Sequence, residues 1–282
     1  MSQTIIELLK KGIQANCSAQ FRQGNLLNLP GQGELIITGD LHGHRRNFER
    51  AVSFADLKNN PDRRIIFQEI IHGGPEDSCG GCMSYKLLFD AIRYMLKFPD
   101  QVHIIMGNHD TAFINNADVM KDGKEMNRAM CLAVEREFHH SAVDIIFAMK
   151  QFLFSQPLAV RCHNRIWVSH SLPGDRYITQ FDPQIFSREL TADDIIRPGS
   201  AYLLTWGRKM SQTLLDKMAE MLDVDLFVLG HQQQEQGWSV GGRNLVILAS
   251  NHNHGHLLLI DMAKTYTIEQ LIESLVPIAS LS

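Results

Sequence analysis

Five short segments of this 282-residue sequence carry side chains able to hold a hard divalent cation: Asp40 and His42; Glu69; Asn108 with His109 and Asp110; His170; and His231. Carboxylate, amide and imidazole donors in combination suit manganese, iron or zinc, and no thiol belongs to the set. In Gly39-Asp40-Leu41-His42-Gly43 the carboxylate and imidazole stand two residues apart, so on extended chain they face the same point. Two adjacent cations repel, and a carboxylate between them relieves the repulsion. Glu69, isolated at the end of an apolar run, is the candidate for that bridge. A lone histidine among 13 is ordinarily a surface or hydrogen-bonded residue. Here, independent apolar runs end repeatedly in ligand-type side chains, which packing does not require.

The positioning elements follow from periodicity. Residues 33–38 form a short apolar strand that stops at Asp40, and Phe48, Ala51, Val52, Phe54 and Ala55 recur at helical spacing behind it. A second strand is expected over 64–71. A Gly-rich loop, a helix over 84–97 and a strand over 102–106 come next. Strand, helix, strand, helix, strand implies a mostly parallel sheet whose C-terminal strand ends hold the ligand site. Short apolar runs return at 158–162, 165–169, 226–229, 245–249 and 256–260. The last two read as antiparallel partners around a polar loop, in a second sheet packed on the first. Gly241-Gly242 reads as a hairpin turn. The chain reads as one domain over 1–282, with an N-terminal helical extension over 1–30 and a helical cap or flank over 115–151.

Gly39-Asp40-Leu41-His42-Gly43, Gly107-Asn108-His109-Asp110, Val168-Ser169-His170 and Gly230-His231 resemble, in order and spacing, the motifs of the calcineurin-like metallophosphoesterases. The resemblance spans roughly 35–267 and is closest to the phosphoprotein (Ser/Thr) phosphatase branch, which Gly230-His231-Gln232 and 248–255 parallel. It implies an α/β fold of four layers, two packed mixed sheets flanked by helices. It also implies two divalent metals (Mn, Fe or Zn), one on Asp40 and His42 and the other on Asn108, His170 and His231, with Glu69 bridging. His109 would protonate the leaving alkoxide while a metal-bridging hydroxide attacks phosphorus in line, without a phosphoenzyme. The expected Gly-Asp-x-x-Asp-Arg-Gly is replaced by Gln68-Glu69-Ile70-Ile71-His72-Gly73-Gly74, so His72 stands for an aspartate that orients the acid and Gly73 for a phosphate-binding arginine. Asp110 is the candidate to orient His109. Arg45, Arg46 or Arg208 are candidates for the missing cation, and His252 and His254 for substrate contact. The implied substrate is a phosphoprotein or small phosphoester. A nucleotide or diadenosine polyphosphate, or a non-catalytic metal-binding scaffold, are the alternatives.

A net charge of −4 and a pI near 6.3, with Lys and Arg scattered, argue against nucleic acid as a partner. No apolar stretch reaches membrane-spanning length. Residues 1–11 alternate apolar and polar positions as a short amphipathic helix does, without the apolar core of a signal peptide. Five unevenly spaced cysteines argue against a disulfide framework and for a reducing, cytoplasmic setting. Cys79-Gly80-Gly81-Cys82 has thiol spacing for zinc but lacks a partner pair, and its simpler reading is a Gly-rich loop.

Overall fold

Leu35-Ile36-Ile37 places apolar side chains at successive positions of a strand, so both faces must be covered. The computed structural model, which describes residues 2–121 and 123–281, covers them with a second sheet on one side and helices on the other. The strands are β1 (Arg22–Gln23), β2 (Leu26–Leu29), β3 (Glu34–Asp40), β4 (Arg64–Gln68), β5 (Val102–Ile105), β6 (Met120–Lys121) and β7 (Lys124–Glu125). They continue with β8 (Ala159–Cys162), β9 (Ile166–Ser169), β10 (Leu226–Leu229), β11 (Trp238–Gly241), β12 (Leu245–Leu248), β13 (His256–Asp261) and β14 (Leu275–Pro277). One sheet has the order β14-β13-β3-β4-β5 and the other β1-β2-β8-β9-β10-β12-β11, while β6 and β7 form a separate hairpin.

Alternate residues sort into three cores. Leu35, Ile37, Ile66 and Ile105 of the first sheet meet Val160, Val168, Val228 and Val246 of the second. Ile36, Ile65, Phe67 and Ile104 point the other way, into helices α1 (Ser2–Cys17), α2 (Arg45–Ala55), α3 (Ser84–Lys97), α4 (Asn108–Asn115), α5 (Met126–Phe138) and α6 (Ala142–Phe154). Trp167, Phe227, Leu229 and Ile247 face α7 (Ser200–Trp206) and α8 (Gln212–Leu222). A short α9 (Ile268–Glu273) lies near β12. The layers run helix, sheet, sheet, helix, as the resemblance implies. No described helix is long and apolar enough to cross a membrane.

β3, β4 and β5 are parallel neighbours joined by α2 and α3, as their alternation predicts. The segment over 115–151 supplies a flank: α6 packs on α1, α4 and α5 against the outer face of the first sheet. Three expectations change. β12 and β13 are not partners; β12 pairs with β10 and β11, whereas β13 crosses to the first sheet and runs antiparallel to β3. Both strands are buried apolar runs, and such a run records burial without recording which neighbour supplies it. The Gly241-Gly242 turn does join an antiparallel pair, β11 and β12. The N-terminal segment is helical only to Cys17, after which the apolar run Leu26-Leu27 enters the second sheet beside β8. β4 ends at Gln68, three residues short of the expected span.

Candidate metal centre

The candidate ligands sit where strands stop. Asp40 is the last residue of β3, and the chain then turns sharply, with His42 at φ 43°, Glu69 at φ 48° and His231 at φ 67°. Non-glycine residues seldom adopt this left-handed backbone, and those that do concentrate where a side chain must be aimed. The turns hold one another. Leu41 and His42 N–H groups donate to Glu69 O at 3.1 and 2.8 Å, and Gly43 N–H to Ile70 O at 2.8 Å. His231 N–H donates to Asp40 Oδ1 at 2.9 Å, tying the end of β10 to that of β3. A Cβ on Gly107 would lie 2.5 Å from Glu69 Oε2, so the start of α4 approaches this carboxylate only as glycine.

The donor atoms then converge. Gln68 Nε2 donates to Thr38 O at 2.8 Å, which leaves its Oε1 facing His170 Nδ1 at 3.0 Å. An amide oxygen only accepts, so the His170 proton is on Nδ1 and its Nε2 is bare. That bare Nε2 lies 2.8 Å from Asn108 Oδ1 and 2.8 Å from Glu69 Oε2. His231 Nδ1 is also 2.8 Å from Asn108 Oδ1. His42 donates from Nδ1 to Ile71 O at 3.2 Å, leaving its Nε2 toward Asp40 Oδ2 at 3.7 Å. Asp40, Glu69 and His170 form one group of mutually close ligand atoms, and His42, Glu69 and His109 another, with Glu69 common to both.

Burial sets the protonation. It raises the Asp40 carboxyl to about 6 and drives Glu69 up as well, while lowering His42 to about 3 and His170 to about 4. His231 and His109 are likewise held well below the usual imidazole range. Neutral imidazoles and desolvated carboxylates converging at 2.8 Å are the donor set that divalent cations complete, the metal taking the place of any shared proton. The residues therefore fit two metals.

Residues 34–235 match the calcineurin-like phosphoesterase family. The chain belongs to it. It is 24% identical over 232 residues to a serine/threonine-protein phosphatase of Caenorhabditis elegans, covering 77% of this chain and 47% of that one. A probable serine/threonine-protein phosphatase of Encephalitozoon cuniculi is 22% identical over 250 residues, covering 82% and 50%. The chain thus spans about half the length of the curated relatives it matches. A Saccharomyces cerevisiae serine/threonine phosphatase, described as similar to human phosphatase PP5, superposes with TM-score 0.68 at 14% identity over 99% of this chain and 93% of that one. A cold-active protein-tyrosine phosphatase of Shewanella superposes with TM-score 0.58 at 15% identity, over 84% and 77%. At these identities the structural likeness is one of fold.

In this calcineurin-like phosphoesterase, several residues singled out in the sequence lie elsewhere than expected. Asp110 does not orient His109; its Oδ2 accepts from Gly107 N–H at 2.8 Å and caps α4. The His109 ring instead lies between His42 and His72, 5.0 Å from each ring centroid, and its backbone N–H donates to Glu69 Oε1 at 3.1 Å. His72 is fully buried, with both ring nitrogens lacking a hydrogen-bond partner among the described residues. Arg45 pairs with Asp90 at 2.7 Å and Glu49 at 3.6 Å, which commits its charge to the surface of α2 and α3. Arg46 is exposed. His252 fastens its own loop, donating from Nε2 to Gln234 O at 2.8 Å and accepting His254 N–H at Nδ1 at 3.2 Å. His254 is exposed. Arg208 is exposed, yet near enough for its positive charge to favour ionised Glu69 and neutral His170 and His231. Cys82 is buried, donating to Gly73 O at 3.5 Å, whereas Cys79 is exposed.

Two contributors escaped sequence reasoning. Gln68 fixes the His170 tautomer, a role that an amide inside an apolar strand does not announce. Lys121, on the β6–β7 hairpin, acts on Asp40, His42, Glu69, His72 and His109 through its charge. It belongs to the middle segment, where no motif surrounds it.

Proposed function

We propose that this chain hydrolyses phosphate monoesters at a centre of two divalent metals, in the manner of the phosphoprotein phosphatases. The observation that carries the reading is the bare His170 Nε2 at 2.8 Å from both Glu69 Oε2 and Asn108 Oδ1, three ligand atoms converging on one buried point. Asp40 and His42 would hold one metal, Asn108, His170 and His231 the other, and Glu69 both. When bound, such a pair lowers the pKa of coordinated water toward neutrality and offsets charge on the phosphoryl oxygens.

The remaining work falls to this chain's own side chains. His109, beside the centre and 4.0 Å from Glu69 Oε1 through Nδ1, is the proton donor to the leaving alkoxide. Burial disfavours its charged form, and a phosphate dianion alongside would offset part of that cost. Lys121 and Arg208 supply the positive charge that Gly73 lacks.

The test is release of p-nitrophenol from p-nitrophenyl phosphate with added manganese. Turnover is expected. Two equivalents of bound metal with no release would overturn the reading and favour a metal-binding scaffold.

A further inference from the structure

The recess that Arg176, Arg197, Arg208 and Lys209 line adjoins the candidate centre, where the Trp206 ring lies 6.4 Å from that of His231. A second cavity, of about 840 Å3, shares no residue with that centre. It opens between α1, α6 and the loop over 187–190, with Arg22 of β1 and Ile114 of α4 also in its walls.

Its apolar wall follows from the period of α6. Phe147, Lys150 and Phe154 recur at steps of three and four residues, so they lie along one stripe, and the two phenyl rings spring from backbone about 10 Å apart. Phe147 is 61% exposed, whereas Ala148, Met149 and Phe152 are buried in the core. Ile13 of α1, Ile114 and Leu190 line the same space. Apolar groups from four segments thus gather at one recess, where scattered single residues would need no explanation.

The polar wall carries cations without counter-ions. Arg22 Nε donates to Gly24 O at 2.7 Å and Nη1 to Asn16 O and Ser155 O at 3.0 and 2.5 Å, while Nη2 reaches Asn25 Oδ1 at 3.4 Å. All four acceptors are neutral. Lys150 Nζ donates to Asn116 Oδ1 and lies 5.4 Å from the Phe113 ring. Among the described residues neither cation pairs with a carboxylate, and burial disfavours the charge of both. Arg188, by contrast, is held by Asp194 at 2.6 Å, and Glu189, the one carboxylate of the lining, is exposed. A partly desolvated cation is costly without an anion beside it. Two such cations at one apolar recess call for an anion that carries its own apolar body.

We propose that this cavity binds a fatty acid, its carboxylate held by Lys150 and Arg22 and its chain laid along Phe147, Phe154 and Ile13. A carboxylate offers two oxygens and can accept from both cations at once. The α6 stripe is long and narrow, which suits an unbranched chain, and a recess between helices admits one molecule where a bilayer needs apolar side chains that project. The volume falls in the upper part of the range of about 300–1,000 Å3 that small-molecule sites occupy. The site stands independently of any reaction at the metal centre.

Decanoate is titrated calorimetrically into the unmodified chain, Lys150→Gln and Phe147→Ser, with decanol as the uncharged comparator and circular dichroism as the check of folding. Saturable one-to-one binding of decanoate is expected. Lys150→Gln should weaken it at least about tenfold, the size of one lost charged contact, and leave decanol unmoved, while Phe147→Ser weakens both. Absence of saturable binding, or decanoate affinity that Lys150→Gln leaves unmoved, overturns the site. Two further results also overturn it, each in the absence of decanoate binding. Co-sedimentation with phosphatidylglycerol vesicles that Phe147→Ser abolishes would make the recess a bilayer contact, and a dimer in gel filtration that Phe147→Ser dissolves would make it a contact between copies of the chain.

Discussion

Gly43 and Gly73 pack backbone against backbone: a Cβ on Gly43 would lie 2.4 Å from Gly73 O, and one on Gly73 would lie 2.3 Å from His42 O. The loop carrying His42 and the loop after Glu69 can therefore close only if both residues lack side chains. Gly73→Arg, which would restore the arginine that the family resemblance leads one to expect, should instead cost about 1–3 kcal/mol through overpacking and displace His42. Thermal unfolding and metal content check this. A variant with unchanged Tm and tighter phosphate binding would show that the loop has room.

Glu69 is common to both groups of close ligand atoms. Glu69→Gln keeps the shape and removes the charge, and should weaken retention of at least one metal by roughly 100-fold, the upper end of what losing a mere supporting residue costs. Metal analysis after gel filtration reads this directly. Full retention of two equivalents with wild-type turnover would remove Glu69 from the bridge.

His109→Ala should leave both metals bound and lower kcat by about 10²–10⁴-fold, the usual contribution of a general acid. Phenyl phosphate, whose leaving group needs the proton more, should suffer more than p-nitrophenyl phosphate. Equal losses on the two substrates would point to a structural role.

Lys121 acts on the centre through its charge and is partly exposed on its hairpin. Lys121→Ala should raise KM for p-nitrophenyl phosphate by about tenfold, as expected for one charged phosphate contact, with a smaller change in kcat. An unchanged KM would leave Arg208 as the cation that compensates for Gly73.

Arg188 grips Asp194 with two bonds, at 2.7 and 2.6 Å, in the segment leading to α7. The guanidinium holds the Asp194 carboxyl down at about 2, below its ordinary 3.8. A depressed carboxyl stabilises the fold above the unfolded value, and that contribution is lost as pH falls toward the folded one. The stability gap between wild type and Asp194→Asn should thus be full at neutral pH, on the order of 1–2 kcal/mol, and shrink below about pH 4. Urea midpoints across that range test it; a gap that widens on acidification would reverse the sign.

Much of the centre was legible because its information is local. Asp40 with His42, and Asn108 with His109, each stand at a point where an apolar run ends, and strand-and-helix alternation places such ends on one rim. Asp110 misled because a carboxylate at the start of a helix serves equally to cap the backbone or to orient a neighbouring ring, and only coordinates distinguish the two. Of the alternating histidines after β12, His252 gives both ring nitrogens to its own loop while His254 stays exposed, a difference that their alternation in sequence does not carry.

The sequence by itself determined the kinds of donor, their order and the layered α/β plan, since these follow from side-chain chemistry and hydrophobic period. Tertiary structure alone decided that β12 and β13 part company, that Gln68 sets the His170 tautomer, and that Lys121 acts on the centre. It also gathered Arg176, Arg197, Arg208 and Lys209, scattered over separate segments, around one recess. The physical reason is range: burial pattern is written along a few residues, whereas strand pairing and the meeting of charges depend on contacts between residues far apart in the chain.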